Sequence, residues 1–404
     1  MSEKVKNRKK SPSGTDPNLL TINMGPQHPS THGVLRLVLE LDGEVVRSIQ
    51  PHLGYLHRGM EKIAEQMTYH QFIPYTDRLD YLASLSNNVA FVLTVEKLLD
   101  IEAPPRAQAI RVISCELSRI SAHLLWLGTH ALDLGAATVF FHTFREREVL
   151  YDLIQELTGT RMTTSYTRVG GLANDASDKF LEGTKAFVRD FPRRVDEYEK
   201  LLTENPIWLR RTREVGILNV DVAIGLGVSG PNLRASGKNW DLRKVSPYCG
   251  YQKYLFDVPV GQVGDVYDRY LVRMEEMRQS NRILEQALRS IPAGPVVTEN
   301  LPGVVLPEKE RVLTGMEELI HQFMVITEGI RPPRGEVYHS IEAPKGELGF
   351  YIVSEGEARP HRLRIRSPSF MNLQAIPAIA TGGLVADVVA VIASLDPVMG
   401  EVDR

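Results

Sequence analysis

From residue 59 to residue 329 the sequence is dominated by apolar residues that recur at i, i+3 and i+4. The stretches 59–72, 79–99, 105–135, 137–157, 175–204, 263–291 and 309–329 carry this stripe, which predicts helices with one buried face. Such stripes are stable only against one another, so the middle of the chain must fold as a packed helical core. Strand signals are confined to the ends. Residues 19–23 and 33–41 alternate apolar and polar positions, and Asp42-Gly43 gives a tight turn into 44–50. The intervening GPQHPSTHG holds Gly25, Pro26, Pro29 and Gly33, which forbid regular structure. Near the other end, 336–341 and 348–354 flank Pro344-Lys345-Gly346 as a hairpin, and 362–365 reads as a third strand.

The expected fold is therefore α+β and mostly helical, with small antiparallel sheets near both ends. It divides into a basic tail at 1–18 that reads as mobile, a sheet with an inserted loop at 19–50, a helical core at 51–330, and a hairpin, sheet, buried helix and tail at 331–404. These parts are expected to form one cooperative unit.

The chain has 404 residues, 43% apolar and 24% charged, which excludes a largely disordered or fibrous protein. A formal net charge of -3 gives no reason to expect nucleic acid as the main partner. Cys115 and Cys249 are the only cysteines, too few for a disulfide framework, a zinc cysteine cluster or a protein-held iron–sulfur cluster. Together with a basic N-terminus that lacks an apolar h-region, they point to a reducing, cytoplasmic compartment. Residues 375–395 are long enough to cross a bilayer, at roughly 20 residues. Pro377, Gly382, Gly383 and Asp387 favour a broken, buried helix instead, starting near Leu384.

Histidines crowd the first third: His28, His32, His52, His57, His70, His123, His130 and His142. His28 and His32 stand i, i+4, but Pro29 and the flanking glycines argue for a loop, and spacing alone favours backbone-capping histidines over a metal pair. Asp133 lies between Leu132 and Leu134, with His130 three residues and Thr129 four residues before it on a helix. A carboxylate there must be paired or protonated; it is either a structural acceptor or a group that orients a histidine and holds a proton. Gly225-Leu-Gly227-Val-Ser-Gly230 matches G-x-G-x-x-G, yet Pro231 follows at once and no strand-ending acid appears about 20 residues on, so a structural loop is expected. Tyr81 falls at the start of a predicted helix; its phenol is a core group or a donor of a hydrogen bond and then a proton.

The strings GPQHPSTHGVLRL, PHLGYLHRGMEK, YTDRLDYL, LLWLGTHALDLGA, FREREVLYDL, GVSGPNLRASG, EAPKGELGFY and DPVMGEVDR resemble the family of large quinone-site subunits of bacterial NADH:quinone oxidoreductase, respiratory complex I. The resemblance runs from about Leu20 to Arg404 in unbroken order. The wider superfamily is similar to the large subunit of nickel–iron hydrogenases, which implies a hydrogenase-like helical core. That family holds its metals through R-x-C-x-x-C and D-P-C-x-x-C-x-x-H. Here the two regions read Arg78-Leu-Asp-Tyr81-Leu-Ala83 and Asp396-Pro-Val398-Met399-Gly-Glu-Val-Asp-Arg404, without those cysteines. Without thiolates a nickel–iron centre is not held, and hydrogen chemistry is not expected.

The resemblance implies that the vacated cavity became a quinone pocket. It places His32 and Tyr81 at the two ends of the quinone headgroup, Asp133 beside His32 as the third catalytic residue, and Thr129, Val398 and Met399 in the lining. It places Arg78 near the terminal iron–sulfur cluster of a neighbouring small subunit. No cofactor is expected on this chain itself. The implied partners are that iron–sulfur subunit, other peripheral-arm subunits, a membrane-arm subunit at the quinone entrance, and quinone. The implied location is peripheral, on the cytoplasmic side of the bacterial inner membrane. One departure stands out: relatives read R-M-H or R-F-H where this chain has Arg161-Met162-Thr163, and a threonine does not titrate in the working range. From the residues alone a non-catalytic scaffold subunit and the equivalent subunit of a ferredoxin-fed sister complex stay open.

Overall fold

The computed structural model describes residues 19–28, 33–298, 301 and 303–404; the tail 1–18 and His32 lie outside the described residues. Three strands, β1 (Leu20–Met24), β2 (Arg36–Asp42) and β3 (Val45–His52), form an antiparallel sheet in sequence order. Alternation along β2 buries Leu37, Leu39 and Leu41 on one face. That face packs on the C-terminal helices Ile376–Ala380 and Val385–Leu395, in a core that joins Leu39 and Val46 to Ile376, Val388 and Ile392. The glycine pair between these helices reaches the sheet: Val46 N–H donates to Gly383 O at 2.9 Å and Gly382 N–H donates to Val46 O at 2.8 Å. The break expected at Gly382-Gly383 is thus a strand-like pairing with β3. No helix among the described residues is long and apolar enough to cross a membrane.

The helical core is built on Pro105–Asp133, a helix of 29 residues and about 43 Å. Proline suits its first turn, where an N–H would have no intrahelical partner. Ala137–Thr158 returns beside it. Gly128 permits that approach, since a Cβ there would lie 2.4 Å from Thr143 Oγ1. Helices Ser84–Leu99, Asp178–Leu202 and Val266–Arg289 enclose the long helix and its partner. Ser177 and Asp265 cap the last two by accepting from Phe180 N and Asp268 N. A short ribbon, β4 (Thr167–Arg168) with β5 (Gly171–Leu172), precedes the second sheet. That sheet is antiparallel, β6 (Gly335–Ala343), β7 (Gly346–Ser354) and β8 (Arg362–Arg366), and Phe350 packs edge-on against Phe91 of Ser84–Leu99.

Three expectations change in detail. Residues 59–72 form two helices, Met60–Ala64 and Tyr69–Thr76, because Thr68 and Gln71 make a capping box that starts a new one. The helix expected from 79 begins only at Ser84, so Tyr81 lies in the turn before it. Residues 309–329 form Lys309–Thr314 and Met316–Thr327, and their apolar face is not buried by the described residues: Met316 is 76% and Phe323 66% exposed. Apolar spacing specifies a face that needs cover, not which molecule supplies it. The G-x-G-x-x-G stretch is the structural loop expected of it. Gly230, with φ 68°, backs onto the hairpin turn, where a Cβ would lie 2.4 Å from Gly346 Cα.

Candidate functional site

The turn holding Tyr81 and the C-terminal helix Met399–Asp403 meet, although most of the chain separates them in sequence. Gly400 makes the contact: a Cβ there would lie 2.6 Å from Leu79 O and 3.1 Å from Tyr81 Cδ1. Arg58 clamps both segments, its Nη2 donating to Arg78 O at 2.9 Å and to Gly400 O at 2.7 Å. The tail is also held by Asp403, whose carboxylate accepts from Gly54 N at 2.8 Å and Leu56 N at 2.7 Å. Arg78 and Tyr81 therefore meet the chain at Gly400, directly after Val398 and Met399 in sequence. Val398 and Met399 are buried, Met399 in the core under the N-terminal sheet. Tyr81 is 38% exposed. Desolvation of its hydroxyl and the neighbouring Asp80 raise the phenol's pKa, against the opposing pull of Arg58, so it remains a protonated donor at neutral pH.

The loop with Thr163 is bonded to the same turn. Buried Asp77 accepts from Ser165 N at 3.0 Å, Ser165 Oγ at 2.6 Å and Asn88 Nδ2 at 2.8 Å, and Ser84 Oγ donates to Met162 O. Arg78 keeps its side chain half-exposed and donates to Pro74 O. Beside it opens a cavity of about 410 Å³ lined by Arg58, Met60, Ile63, Pro74, Tyr75 and Arg78. A larger one, about 710 Å³, shares Pro74 and is otherwise lined mostly by apolar side chains with His70 and Arg168. Burial and Arg168 push His70 down to about 4, so it is neutral at pH 7. None of the residues lining that larger hollow belongs to the Tyr81–Gly400 contact, but it adjoins the smaller cavity at Pro74.

Sequence reasoning assigned no role to the buried charged residues beside Tyr81. Asp80 and Glu401 are each 1% exposed. Lys345, in the turn between β6 and β7, is ion-paired to Asp396. Burial and Asp396 raise the Asp80 carboxyl, with Lys345 opposing. Burial, then Asp80, push Glu401 up to about 8. Their signal was present: all four sit inside YTDRLDYL, EAPKGELGFY and DPVMGEVDR, as carboxylates and a lysine among apolar neighbours.

Asp133 ends the long helix at a second place. Burial raises its carboxyl to about 6, and the charge that acts on it among the described residues is His28, which opposes the rise. His28 is thus within electrostatic reach of Asp133, and His32 lies outside the described residues. The Thr129 hydroxyl is turned back along the helix, donating to Leu125 O at 3.0 Å and Trp126 O at 3.1 Å. His130 is buried between the rings of Trp126 and Trp208, at 5.3 and 5.1 Å.

Comparison with known proteins agrees over nearly the whole chain. The family model described as respiratory-chain NADH dehydrogenase, 49 kDa subunit, matches residues 133–404. An NADH-quinone oxidoreductase subunit of Geobacter sulfurreducens is 56% identical over 386 residues, covering 96% of this chain and 99% of that protein. The subunit of the same name from Methylacidiphilum infernorum is 59% identical over 385 residues, 95% of this chain and 92% of that protein. A further NADH-quinone oxidoreductase subunit, from Chloroflexus aurantiacus, is 56% identical over 388 residues, 95% and 94% respectively.

Proposed function

The chain belongs to the family of the 49 kDa subunit of respiratory-chain NADH dehydrogenase, and on that premise we propose that it forms, with a neighbouring iron–sulfur subunit, the site at which quinone is reduced. The observation that carries the reading is the contact of the Tyr81 turn with the 398–401 tail, clamped by Arg58 beside an open cavity. The phenol is partly exposed, its ring lies against Gly400, and the cavity opens beside Arg58 and Arg78.

Reduction to quinol takes two electrons and two protons. The electrons enter from the neighbour's terminal iron–sulfur cluster, with Arg78 on that side; Cys115 and Cys249, both buried, are too few to hold a cluster here. Tyr81 donates a hydrogen bond to one quinone oxygen. That oxygen becomes far more basic as electrons arrive, so the bond strengthens during the reaction, as catalysis requires. The phenol then passes its proton on. His32 takes the same role at the other oxygen, with Thr129, Val398 and Met399 shaping the pocket. Asp133, poised by burial at about 6, answers the loss of the imidazolium proton and couples it to proton translocation in membrane subunits. The working unit is the hetero-oligomer at the cytoplasmic face of the membrane.

In the assembled complex Tyr81→Phe removes one donor and little shape. Quinone reduction is expected to fall by roughly a hundredfold with assembly intact. Normal quinone turnover in that variant would overturn the assignment.

A further inference from the structure

We propose that Asp80 and Glu401 hold one shared proton and return it to Tyr81 after the phenol has protonated reduced quinone; this rests on the quinone-site reading above. Both side chains are 1% exposed. Each has one oxygen satisfied by backbone, Asp80 by Leu82 N at 3.0 Å and Glu401 by Ser369 N at 2.8 Å. The other oxygen of each, Asp80 Oδ2 and Glu401 Oε2, has no well-aligned hydrogen bond among the described residues, although the Ser369 hydroxyl and Ala83 N–H also act on the Glu401 and Asp80 carboxylates, respectively. The two groups are neighbours: each lies next in sequence to a residue of the Leu79–Gly400 contact, and the Asp80 charge acts on Glu401. Two buried carboxylates with orphan oxygens are not both ionised, because desolvation and mutual repulsion each favour adding a proton.

The surrounding charges support the same count. Lys345, from the β6–β7 turn, is the cation acting on both Asp80 and Glu401, but its ammonium is bonded to Asp396. Arg273, from the helix Val266–Arg289, also interacts with Asp396. Arg58, on the far side, serves Tyr81 and Asp403. Asp396 thus absorbs the nearby positive charge, and the Asp80–Glu401 pair is completed by a proton, in keeping with a Glu401 carboxyl pushed up to about 8.

We assign Tyr81 as the group that takes this proton. Asp80 is its neighbour in the chain and acts on its hydroxyl, and Gly400 touches its ring. A quinone seated on the exposed side of the phenol closes that side to water, so the replacement proton has to come from within. In the step, the carboxyl O–H bond breaks and its electron pair stays on the carboxylate. A new O–H bond forms on the Tyr81 phenolate. The pair is left doubly ionised beside Lys345 and later takes up one proton from solvent; no oxidation or reduction is involved. Asp80 and Glu401 act through Tyr81 and do not touch substrate.

The test is Glu401→Gln in the assembled complex, which keeps an acceptor for Ser369 N–H and removes the titratable proton. The expected result is an unchanged KM for quinone, a kcat lower by about tenfold (1.4 kcal/mol), and loss of a protonated-carboxyl infrared band seen in the wild type at pH 7. Asp80→Asn is expected to lose the same band and slow turnover similarly. An unchanged kcat and band in both variants overturns the proposal. So does the absence, in the wild-type complex, of any protonated-carboxyl band that disappears on titration near pH 8, a readout that needs no variant. If Tyr81→Phe turns over normally, the quinone-site reading itself fails; if Tyr81→Phe is slow while both carboxyl variants are unaffected, only the proton store is lost.

Discussion

In the helical core, Glu116, Asp241 and Glu276 are bound by Arg119, Arg243 and Arg234, whereas beside Tyr81 the buried acids Asp80, Asp396 and Glu401 face Lys345. In the first group Arg234 and Glu276 are 2.5 Å apart, Arg243 and Asp241 2.6 Å, and Tyr251 donates to Glu116 at 2.6 Å. Burial pushes these carboxyls up, but the guanidiniums outweigh it: Asp241 is held at about 2, and Glu116 and Glu276 lie below the ordinary range. A further carboxylate, Glu342, also contacts Arg234, yet burial still pushes it up. Near Tyr81 the same burial wins at Asp80 and Glu401. Burial alone therefore does not set the charge state: guanidinium contacts outweigh it at Glu116, Asp241 and Glu276, but not at Glu342, where Asp241 adds its repulsion to burial although Arg234, Arg119 and Arg243 all act on the carboxylate. The first group is fitted to hold helices in place, and the second to hold protons.

The comparison breaks most visibly at Arg234. Arg234→Met strands Glu276 and Glu342 in the core and is expected to cost about 3–5 kcal/mol, seen as failed assembly or a sharply lowered melting temperature. An unchanged melt would mean that the network is not what holds the helices.

Proton linkage gives the two groups opposite slopes. Glu401 binds its proton more tightly in the folded protein, at about 8 against an ordinary 4.5, so it lowers stability as pH rises through that window. The slope approaches about 1.4 kcal/mol per pH unit. Glu401→Gln is expected to flatten the melting temperature of the complex between pH 5 and 8, and a wild-type slope retained in the variant would place the linkage elsewhere. In the core, burial lowers His123 to about 4 although its Nε2 lies 2.9 Å from Glu276, so the imidazole is neutral. Its contribution is present above about 6.5 and is lost as pH falls from there to 4, a narrower window of the reverse sign. His123→Gln is expected to reduce the acid-side loss, followed by the same melts.

Asp133→Asn carries the smallest expected effect on chemistry. Electron transfer to quinone should stay within about tenfold of wild type, or 1.4 kcal/mol, while proton translocation measured in sealed vesicles falls much further. Equal loss of both would remove the coupling role.

The long helices could be read from the sequence because their periodicity is local: 105–135 and 137–157 were within two residues of Pro105–Asp133 and Ala137–Thr158. The strands of both sheets were legible for the same reason. Local pattern failed where a cap or a loop bond decided the outcome. Thr68 divides one expected helix, and Asp77, bonded to Ser165, belongs to the turn that delays the next until Ser84. Tyr81, Asp133 and the terminal tail could be singled out, but not Arg58, Asp80, Lys345 or Glu401, whose worth lies in what they touch.

By itself the sequence determined the helical class of the core, the strands at each end and the absence of the cysteines a nickel–iron centre requires, because periodicity and ligand count are written along the chain. Only the tertiary structure decided that the residues beside Tyr81 meet those beside Glu401, and that three acids there must divide so little positive charge. Protonation is set by distance and dielectric, and neither exists until residues 79–81 have closed on residues 398–401.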